Sequence, residues 1–336
     1  MIREYLKLAR SYNAVLTGIS PVMGAVAMAQ FEIQYLCLLF LVGFLGHTYG
    51  FILNDLLDYK IDKFSVAGRD RPLVRGTISM KKAWILAFIS LIAAFIIAAY
   101  VAVLTQSYFP LVVLVISAFF VTLYDLTSKK FLYADFIIAT AIFFLILYGA
   151  VTVAGNIYQV TKLAWIVCIL GVIQVLYMQI FAGGLKDVEN DLKMGGKTIA
   201  IKLGVRVEDG FLKISLSYKT LGYIIQIINL FVVFLPFFII WNISNPTIFE
   251  YFQWSLLIII VLSMFVPTHK LLSMKRFERS KAIKLIGVYY VFNFAIVPIM
   301  LMSLNPWAGI LVFFPGLGFT LSNIIIHGTI LQPKTM

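Results

Sequence analysis

Long apolar segments separated by short polar ones run through the whole chain. Each segment has about the 20 residues that a helix needs to cross the hydrocarbon core of a bilayer. Continuous apolar runs favour helices over barrel strands, which would alternate over about ten residues, and a helix satisfies its own backbone hydrogen bonds in lipid. The pattern predicts ten spans, at residues 12–30, 33–53, 83–104, 108–125, 132–154, 162–184, 220–241, 251–268, 283–303 and 308–330.

Composition agrees with a membrane protein. The 336 residues are 62% hydrophobic and only 12% charged, with a mean hydropathy of +0.98, whereas soluble domains carry about 25% charged residues. The spans recur from end to end and leave no room for a separate soluble domain. We therefore predict an all-α integral membrane protein with one domain, residues 1–336.

The start of the chain resembles a signal peptide, because basic residues precede an apolar stretch. Its core, however, contains Asn13 and Pro21, and many more spans follow. We therefore expect a retained first helix.

Basic residues are distributed unevenly between the two sides of the predicted bundle. If the N-terminus is cytoplasmic, 26 of the 27 Lys and Arg residues face the cytoplasm and only Lys162 faces outward. Such asymmetry follows the positive-inside rule and predicts an even number of spans, with both termini and the charged loops in the cytoplasm. The net charge of +12 is then explained by topology and anionic headgroups, without a nucleic-acid partner.

Two long charged loops, 54–82 and 185–219, stand out among the connections. Each opens with an acidic cluster, "NDLLDYKID" or "KDVENDLK", and continues with basic residues. Four spans separate them. This spacing predicts two pseudo-repeated halves, about 1–131 and 132–268, followed by C-terminal helices.

Oxygen-bearing side chains recur every four residues in both clusters. Residues four apart share one face of a helix, which groups Asn54 with Asp58 and Asp62, and Asp187 with Asp191, while Asp55 points elsewhere. A single D-x-x-x-D pair often marks only a solvated helix end. Two pairs in matching positions, in a chain with 15 acidic residues, favour a shared site.

Clustered carboxylates repel one another unless a cation lies between them. Mg²⁺ prefers oxygen ligands and is usually held by one or two carboxylates together with substrate phosphates. Nearby basic side chains would bind the other sides of a phosphate; they are Arg69, Arg71, Arg75, Lys129, Lys130, Lys186, Lys193 and Lys197. The clusters therefore predict a magnesium and phosphate site.

Other chemistries find no support in the sequence. His47, His269 and His327 show no metal-ligand spacing, and Cys37 and Cys168 fall inside predicted spans. There is no phosphate-binding G-x-x-x-x-G-K-[ST] loop and no G-x-S-x-G nucleophile elbow. The D-G-x-x-A-R pattern of CDP-alcohol phosphotransferases is also absent.

Four motifs together resemble the UbiA superfamily of intramembrane prenyltransferases. They are "NDLLDYKID", "RDRP", "YDLTSKK" and "KDVENDLKMGGKT". The family pattern is N-D-x-x-D-x-x-x-D after the second helix, a Tyr/Lys motif after the fourth and D-x-x-x-D after the sixth. The resemblance covers roughly residues 10–220.

The resemblance implies a bundle, usually of nine helices, around a central cavity. It implies that Asn54, Asp58 and Asp62 hold one Mg²⁺ ion and that Asp187 and Asp191 hold a second. Predicted catalytic residues are Asp58, Asp191, Tyr124 and Lys129; predicted substrate contacts are Asn13, Arg69, Arg71, Lys130, Lys186 and Lys197. In the family the Tyr and Lys are commonly four apart, but here Ser128 occupies that position, so Lys129 and Lys130 are both candidates.

The implied reaction is transfer of a polyprenyl group from an isoprenyl diphosphate to a small acceptor. Metal and basic groups stabilise the leaving pyrophosphate, and an allylic cation needs a dry, aromatic pocket. Candidate aromatic residues are Tyr12, Phe51, Tyr124, Tyr148, Tyr177 and Phe181.

Two questions remain open at this stage. An aromatic quinone precursor, an archaeal-type glycerol-phosphate lipid and a sugar phosphate could each accept the prenyl group. A secondary transporter is the alternative function, although a relay would place its acids mid-span.

Overall fold

The computed structural model describes residues 1–64, 68–128, 130–241 and 246–330. Its helices, in chain order, are α1 (Ile2–Leu8), α2 (Ser11–Val26), α3 (Ile33–Leu57), α4 (Tyr59–Asp62), α5 (Met80–Leu104), α6 (Phe109–Thr127), α7 (Ala134–Ala154), α8 (Lys162–Tyr177), α9 (Gly184–Lys186), α10 (Val188–Lys193), α11 (Ile199–Lys202), α12 (Leu216–Ile239), α13 (Ile248–Leu272), α14 (Arg279–Leu301) and α15 (Phe313–His327). Strands β1 (Arg206–Glu208) and β2 (Phe211–Lys213) form one antiparallel hairpin. Short 3₁₀ turns cover Gly68–Asp70, Ile157–Gln159 and Pro306–Val312.

Nine helical segments in the described part of the chain are long and apolar enough to cross a membrane. They are α3, α5, α6, α7, the segment Lys162–Lys186, α12, α13, α14 and the segment Pro306–His327. The prediction of an all-α bundle with nine to ten spans is therefore confirmed. The first of the ten predicted spans, residues 12–30, is not among these nine: α2 has 16 residues, fewer than the roughly 20 that a straight crossing needs.

Several membrane helices begin at side-chain caps. The hydroxyl groups of Ser79, Thr161 and Ser215 accept hydrogen bonds from the first turns of α5, α8 and α12. Thr247 and Glu250 form a reciprocal capping box at the start of α13. Such caps satisfy backbone N–H groups that the helix itself leaves free.

Close helix crossings at glycine bring α2 against α7. A Cβ atom at Gly149 would lie 1.8 Å from the carbonyl oxygen of Pro21, and one at Gly24 would lie 2.0 Å from that of Ile146. Small residues are what allow two helices to approach this closely in a membrane. The other neighbours follow in sequence around the bundle, and α15 packs against both α14 and α2.

The β hairpin ties two loops together at the charged end of the bundle, the end formed by the connections α3–α5, α8–α12 and α13–α14. Asp209 and Gly210 make its two-residue turn, both with positive φ, as an Asp-Gly hairpin requires. The N–H of Leu212 donates to the carbonyl of Lys275 (2.8 Å), and the N–H of Phe277 donates to that of Gly210 (2.9 Å). The hairpin therefore fixes the start of α14 beside the α8–α12 connection.

Candidate active site

A cavity of about 910 Å³ lies inside the bundle and reaches its charged end. Helices α5, α6 and α7 give it an apolar wall that includes Leu91, Phe95, Leu114 and Ile142. Helices α2, α3, α8 and α14 add polar side chains such as Asn13, His47, Gln174 and Asn293. The cavity therefore offers both apolar and polar surface.

Both acidic clusters line this cavity. The lining includes all five oxygen-bearing side chains of the predicted metal site, Asn54, Asp58, Asp62, Asp187 and Asp191. The convergence that their spacing predicts is therefore present in the fold.

Locally, the first cluster differs from the continuous helix that its four-residue spacing predicts. Helix α3 ends at Leu57, Asp58 forms the break, and α4 restarts at Tyr59. The next turn folds back closely: a Cβ atom at Gly68 would lie 2.4 Å from the carbonyl oxygen of Asp62. Glycine is needed here because any side chain would separate the two segments.

The second cluster follows a π-helical turn, Met178–Gly183, at the end of α8. Such turns insert an extra residue and are frequent at functional sites. Asp187 then lies between α9 and α10, outside the regular part of either helix. With this irregular backbone, Asp187 and Asp191 both line the cavity.

Basic side chains bind these carboxylates. Arg71 forms ion pairs with Asp62 and, at 3.0 Å, with Asp55. Across the cavity, Asp187 pairs with Lys186 (3.0 Å) and with Arg279 (3.2 Å). Each cluster is thus flanked by cations that also line the cavity.

The pairing changes the acidity of Asp187. Burial by itself raises the pKa of this carboxyl group, but the neighbouring positive charges of Lys186 and Arg279 outweigh it and hold the pKa below its ordinary value. The side chain is therefore an anion at neutral pH, as a metal ligand must be.

The predicted catalytic and substrate-binding residues divide into two groups. Asn13, Arg71, Tyr124 and Lys186 line the cavity together with the acidic clusters. Arg69, Lys130 and Lys197 are exposed and lie outside the set of residues that line it, and Lys129 lies outside the described residues. Sequence proximity to a motif does not determine on which side of a short turn a side chain emerges.

The sequence analysis missed two cations of the site. Arg279, at the start of α14, comes from a loop without paired acids, so no local pattern marked it. Arg10 also lines the cavity; its guanidinium binds Asp55 (2.8 Å) and lies 4.7 Å from the ring centre of Phe51. Its position three residues before Asn13 was the one sequence feature that could have marked Arg10 as a site residue.

The predicted aromatic pocket needs correction. Phe51 and Tyr124 line the cavity. Tyr177 instead stacks on Tyr289, with ring centres 4.3 Å apart, and donates a hydrogen bond to Thr268 (2.7 Å). The remaining predicted rings, Tyr148, Phe181 and Tyr12, are also fully buried in packing or lie outside the lining of this cavity.

Other aromatic residues line the cavity in their place. They include Phe95 on α5, and Tyr290 and Phe294 on α14. The sequence analysis did not single them out, because they lie in long apolar runs without a motif nearby.

Deeper in the cavity, several buried polar atoms have no hydrogen-bond partner among the described residues. They are Oδ1 of Asn13, Nε2 of His47, Nε2 of Gln174 and Oδ1 of Asn293. His47 is oriented by Thr17, whose hydroxyl group lies 2.7 Å from Nδ1. Buried polar groups without partners are costly, so this wall is suited to water or to the polar part of a ligand.

A metal ion would need ligands beyond the protein. In the part of the chain that the structure describes, no three His, Cys, Asp or Glu side chains lie together in a way that could hold one. The predicted ligand atoms of the two acidic clusters are all oxygens, and each cluster provides two of the predicted carboxylates. This set suits Mg²⁺, which completes its shell with water and phosphate oxygens.

Known proteins are similar to this chain in sequence and in fold. The model of the UbiA prenyltransferase family matches residues 15–217. The digeranylgeranylglyceryl phosphate synthase of Thermococcus kodakarensis is 30% identical over 205 residues, which are 60% of this chain and 69% of that protein. The synthase of the same name from Saccharolobus solfataricus is 28% identical over 265 residues, 74% of this chain and 88% of that protein.

A third relative carries a different name. The 4-hydroxybenzoate octaprenyltransferase of Francisella tularensis is 27% identical over 213 residues, 61% of this chain and 71% of that protein.

Solved structures share the fold. A UbiA homologue from Aeropyrum pernix superposes with a TM-score of 0.67 at 12% identity, over 88% of this chain and 98% of that one. A UbiA homologue from Archaeoglobus fulgidus, bound to GPP and Mg²⁺, gives 0.61 at 16% identity, over 88% and 99%.

Proposed function

The chain belongs to the UbiA prenyltransferase family, and from this premise we propose that it transfers a polyprenyl group from an isoprenyl diphosphate to a glycerol-phosphate lipid precursor. One observation carries the proposal. A single cavity has two carboxylate-bearing loops at its charged end and an apolar wall along α5, α6 and α7. A donor with a diphosphate head and a prenyl tail matches both features.

Magnesium would bind at the two acidic clusters. Asn54, Asp58 and Asp62 would hold one ion and Asp187 and Asp191 the other, each with phosphate oxygens in the remaining positions. The solved relative from Archaeoglobus fulgidus, bound to GPP and Mg²⁺, supports this assignment. When bound, the metal supplies charge stabilisation for the leaving pyrophosphate.

The protein's own cations add to that stabilisation. Arg71, Lys186 and Arg279 line the cavity beside the carboxylates, so each can shift part of its hydrogen bonding from carboxylate to diphosphate. Charge-assisted hydrogen bonds of this kind are among the stronger ones. They favour cleavage of the bond between the donor's first carbon and the diphosphate, because negative charge builds on the leaving oxygen.

The aromatic residues protect the cation that this cleavage leaves. The rings of Phe95 and Tyr124 border the cavity and can stabilise positive charge, while the apolar wall excludes water that would capture it. The acceptor hydroxyl oxygen then bonds to the first prenyl carbon and gives its proton to the pyrophosphate, which is released.

The acceptor is proposed from the relatives. The two archaeal relatives described above are digeranylgeranylglyceryl phosphate synthases, and their name specifies a glycerol phosphate. The Francisella relative favours the second candidate, an aromatic ring.

Product analysis decides between these acceptors. Purified protein with Mg²⁺ and isotope-labelled geranylgeranyl diphosphate is offered a geranylgeranylglyceryl phosphate, a hydroxybenzoate or a sugar phosphate. We expect the labelled ether lipid by mass spectrometry. A prenylated ring as the sole product would refute the glycerol-phosphate acceptor. Full activity in both Asp58→Asn and Asp191→Asn would refute the metal site.

We also propose that the charged end faces the cytoplasm. If α2 crosses as a tenth helix, the even count places both termini on the side that carries 26 of the 27 basic residues, as the positive-inside rule expects. In a Cys37→Ser background, Lys213→Cys should react with a membrane-impermeant thiol reagent only in inverted vesicles. Tyr158→Cys, at the other end and 95% exposed, should react only from outside; the reverse pattern would refute the orientation.

A further inference from the structure

A second, smaller cavity lies next to the active site, and we propose that it binds the phosphate group of the lipid acceptor. The inference rests on the proposed function and deepens it. The cavity measures about 200 Å³, several times the roughly 30 Å³ share of one water molecule in the liquid. A phosphate group together with part of a glycerol backbone fits this space.

Positive charge dominates the lining of this small cavity. Four cationic side chains, Lys7, Arg10, Arg71 and Arg75, face two carboxylates, of which Asp55 is one. Arg10 and Arg71 both bind Asp55, at 2.8 Å and 3.0 Å. Beyond the lining, Arg71 also pairs with Asp62, and Glu4 lies 2.7 Å from Lys7 and 4.0 Å from Arg75. Within the lining itself the cationic groups outnumber the carboxylates. A phosphate monoester, with a charge of about −1.5 to −2 at neutral pH, complements such a lining.

Two nitrogen atoms of the lining lack partners. Nε of Arg71 and Nε2 of His327 are buried and make no hydrogen bond to any described residue. Leaving such atoms unpaired is costly, and both could be satisfied by the several acceptor oxygens of one phosphate group. The ring of Tyr12, edge-on to His327 with centres 5.3 Å apart, closes the same cavity.

The small cavity is adjacent to the place where the donor's diphosphate is proposed to bind. Arg10 and Arg71 line both cavities, and Arg71 reaches Asp62 in one and Asp55 in the other. In a glycerol phosphate only a few bonds separate the phosphate from the free hydroxyl groups. Holding the phosphate behind this arginine layer therefore brings the acceptor hydroxyl beside the first carbon of the donor.

Part of the small cavity is built from segments outside the region that the family model matches, residues 15–217. Lys7 belongs to α1, and His327 ends α15. These two helices are tied together, since Nε of Arg3 donates to the carbonyl of Ile326 (2.7 Å). The phosphate site thus combines residues of the matched region with residues of the N-terminal and last helices.

Lys7 and Arg75 offer a clean test, because both line the small cavity and neither lines the large one. The variants Lys7→Gln, Arg75→Gln and the double variant are assayed in detergent with the phosphorylated glycerol lipid. We expect the double variant to raise the KM for this acceptor about tenfold, as loss of charge-assisted contacts does. The kcat and the Kd for the donor should remain as in the wild type, which also shows that the variants fold.

Matched controls separate the possible sources of an effect. Lys81→Gln removes an exposed charge outside both cavities and should leave the KM unchanged. With a dephosphorylated acceptor, the wild type and the double variant should have the same KM. Equal weakening for both acceptors would overturn the proposal, since the lost contact would not involve phosphate.

Two further results would also overturn it. One is an unchanged KM in the double variant. The other is an effect seen only in vesicles that contain anionic lipid and absent in detergent, which would assign the cavity to a bilayer headgroup. Failure of the proposed function is distinguishable from these, because it appears in the wild-type protein as prenylation of an aromatic ring in place of the glycerol lipid.

Discussion

Replacement of Arg279 by Gln should weaken donor binding without unfolding the protein. Its guanidinium lies 3.2 Å from the Asp187 carboxylate and lines the proposed diphosphate site. A hydrogen bond to a charged group contributes about 1.5–3 kcal/mol, which corresponds to roughly 10–150-fold in a dissociation constant. Because the Arg279 side chain is 26% exposed, solvent screening places the expected effect near the lower limit, about tenfold.

Isothermal titration in detergent measures this effect directly. Geranylgeranyl diphosphate is titrated in the presence of Mg²⁺ into the wild type, Arg279→Gln and the control Arg276→Gln. Arg276 lies in the same loop but stacks at 5.6 Å over the ring of Phe211, away from the cavity, and its replacement should leave the Kd unchanged. Inorganic pyrophosphate should lose affinity for Arg279→Gln by the same factor as the donor, because the lost contact is to the diphosphate.

Two outcomes would refute the assignment of Arg279. An unchanged donor Kd would show that the guanidinium serves Asp187 alone. A weaker donor with unchanged pyrophosphate affinity would place the lost contact at the prenyl tail, where a cation has no role.

Three other perturbations test the packing and the metal. In a thermal-stability assay, Gly149→Ala should lower the free energy of unfolding by about 1–3 kcal/mol or more, as overpacking does. Gly316→Ala should not lower it, because a Cβ atom there meets nothing within 4 Å. Equal losses in the two variants would contradict the close α2–α7 crossing. Phe95→Leu should lower kcat whereas Tyr177→Phe should lower stability and leave kcat intact, and the opposite pattern would return Tyr177 to the aromatic pocket and remove Phe95 from it. Removal of divalent cations with a chelator should abolish donor binding, and added Mg²⁺ should restore it; binding that survives chelation would refute a metal-dependent site.

Features with a strong period along the chain were predictable from the sequence. Nine of the ten predicted apolar runs match the membrane helices to within a few residues, because bilayer thickness fixes their length. The four-residue spacing of Asn54, Asp58 and Asp62 correctly placed these three side chains in one cavity, although α3 breaks at Asp58. The pseudo-repeat of two halves stays a prediction.

Contacts between distant segments were not predictable in this way. Tyr177 ends α8 and Phe181 lies one turn later, in the π-helical turn, so the two share a face. Gln174 and Met178 occupy the neighbouring face. That second face borders the cavity. Which face of an apolar helix points inward depends on its neighbours, since lipid and protein interior are equally apolar. The hairpin turn at Asp209 and Gly210 was not predicted, and its role follows from its contact with residues 275–277.

The hairpin also explains how a residue so late in the chain joins the site. Arg279 follows the segment that pairs with β2, so the position of its backbone is set by β-type hydrogen bonds as well as by helix packing. Its partner Asp187 lies at the break between α9 and α10. A cation held by one loop thus positions a carboxylate on another, and a substitution that loosens the hairpin should disturb the Asp187 side of the cavity while leaving the Asn54 side unchanged.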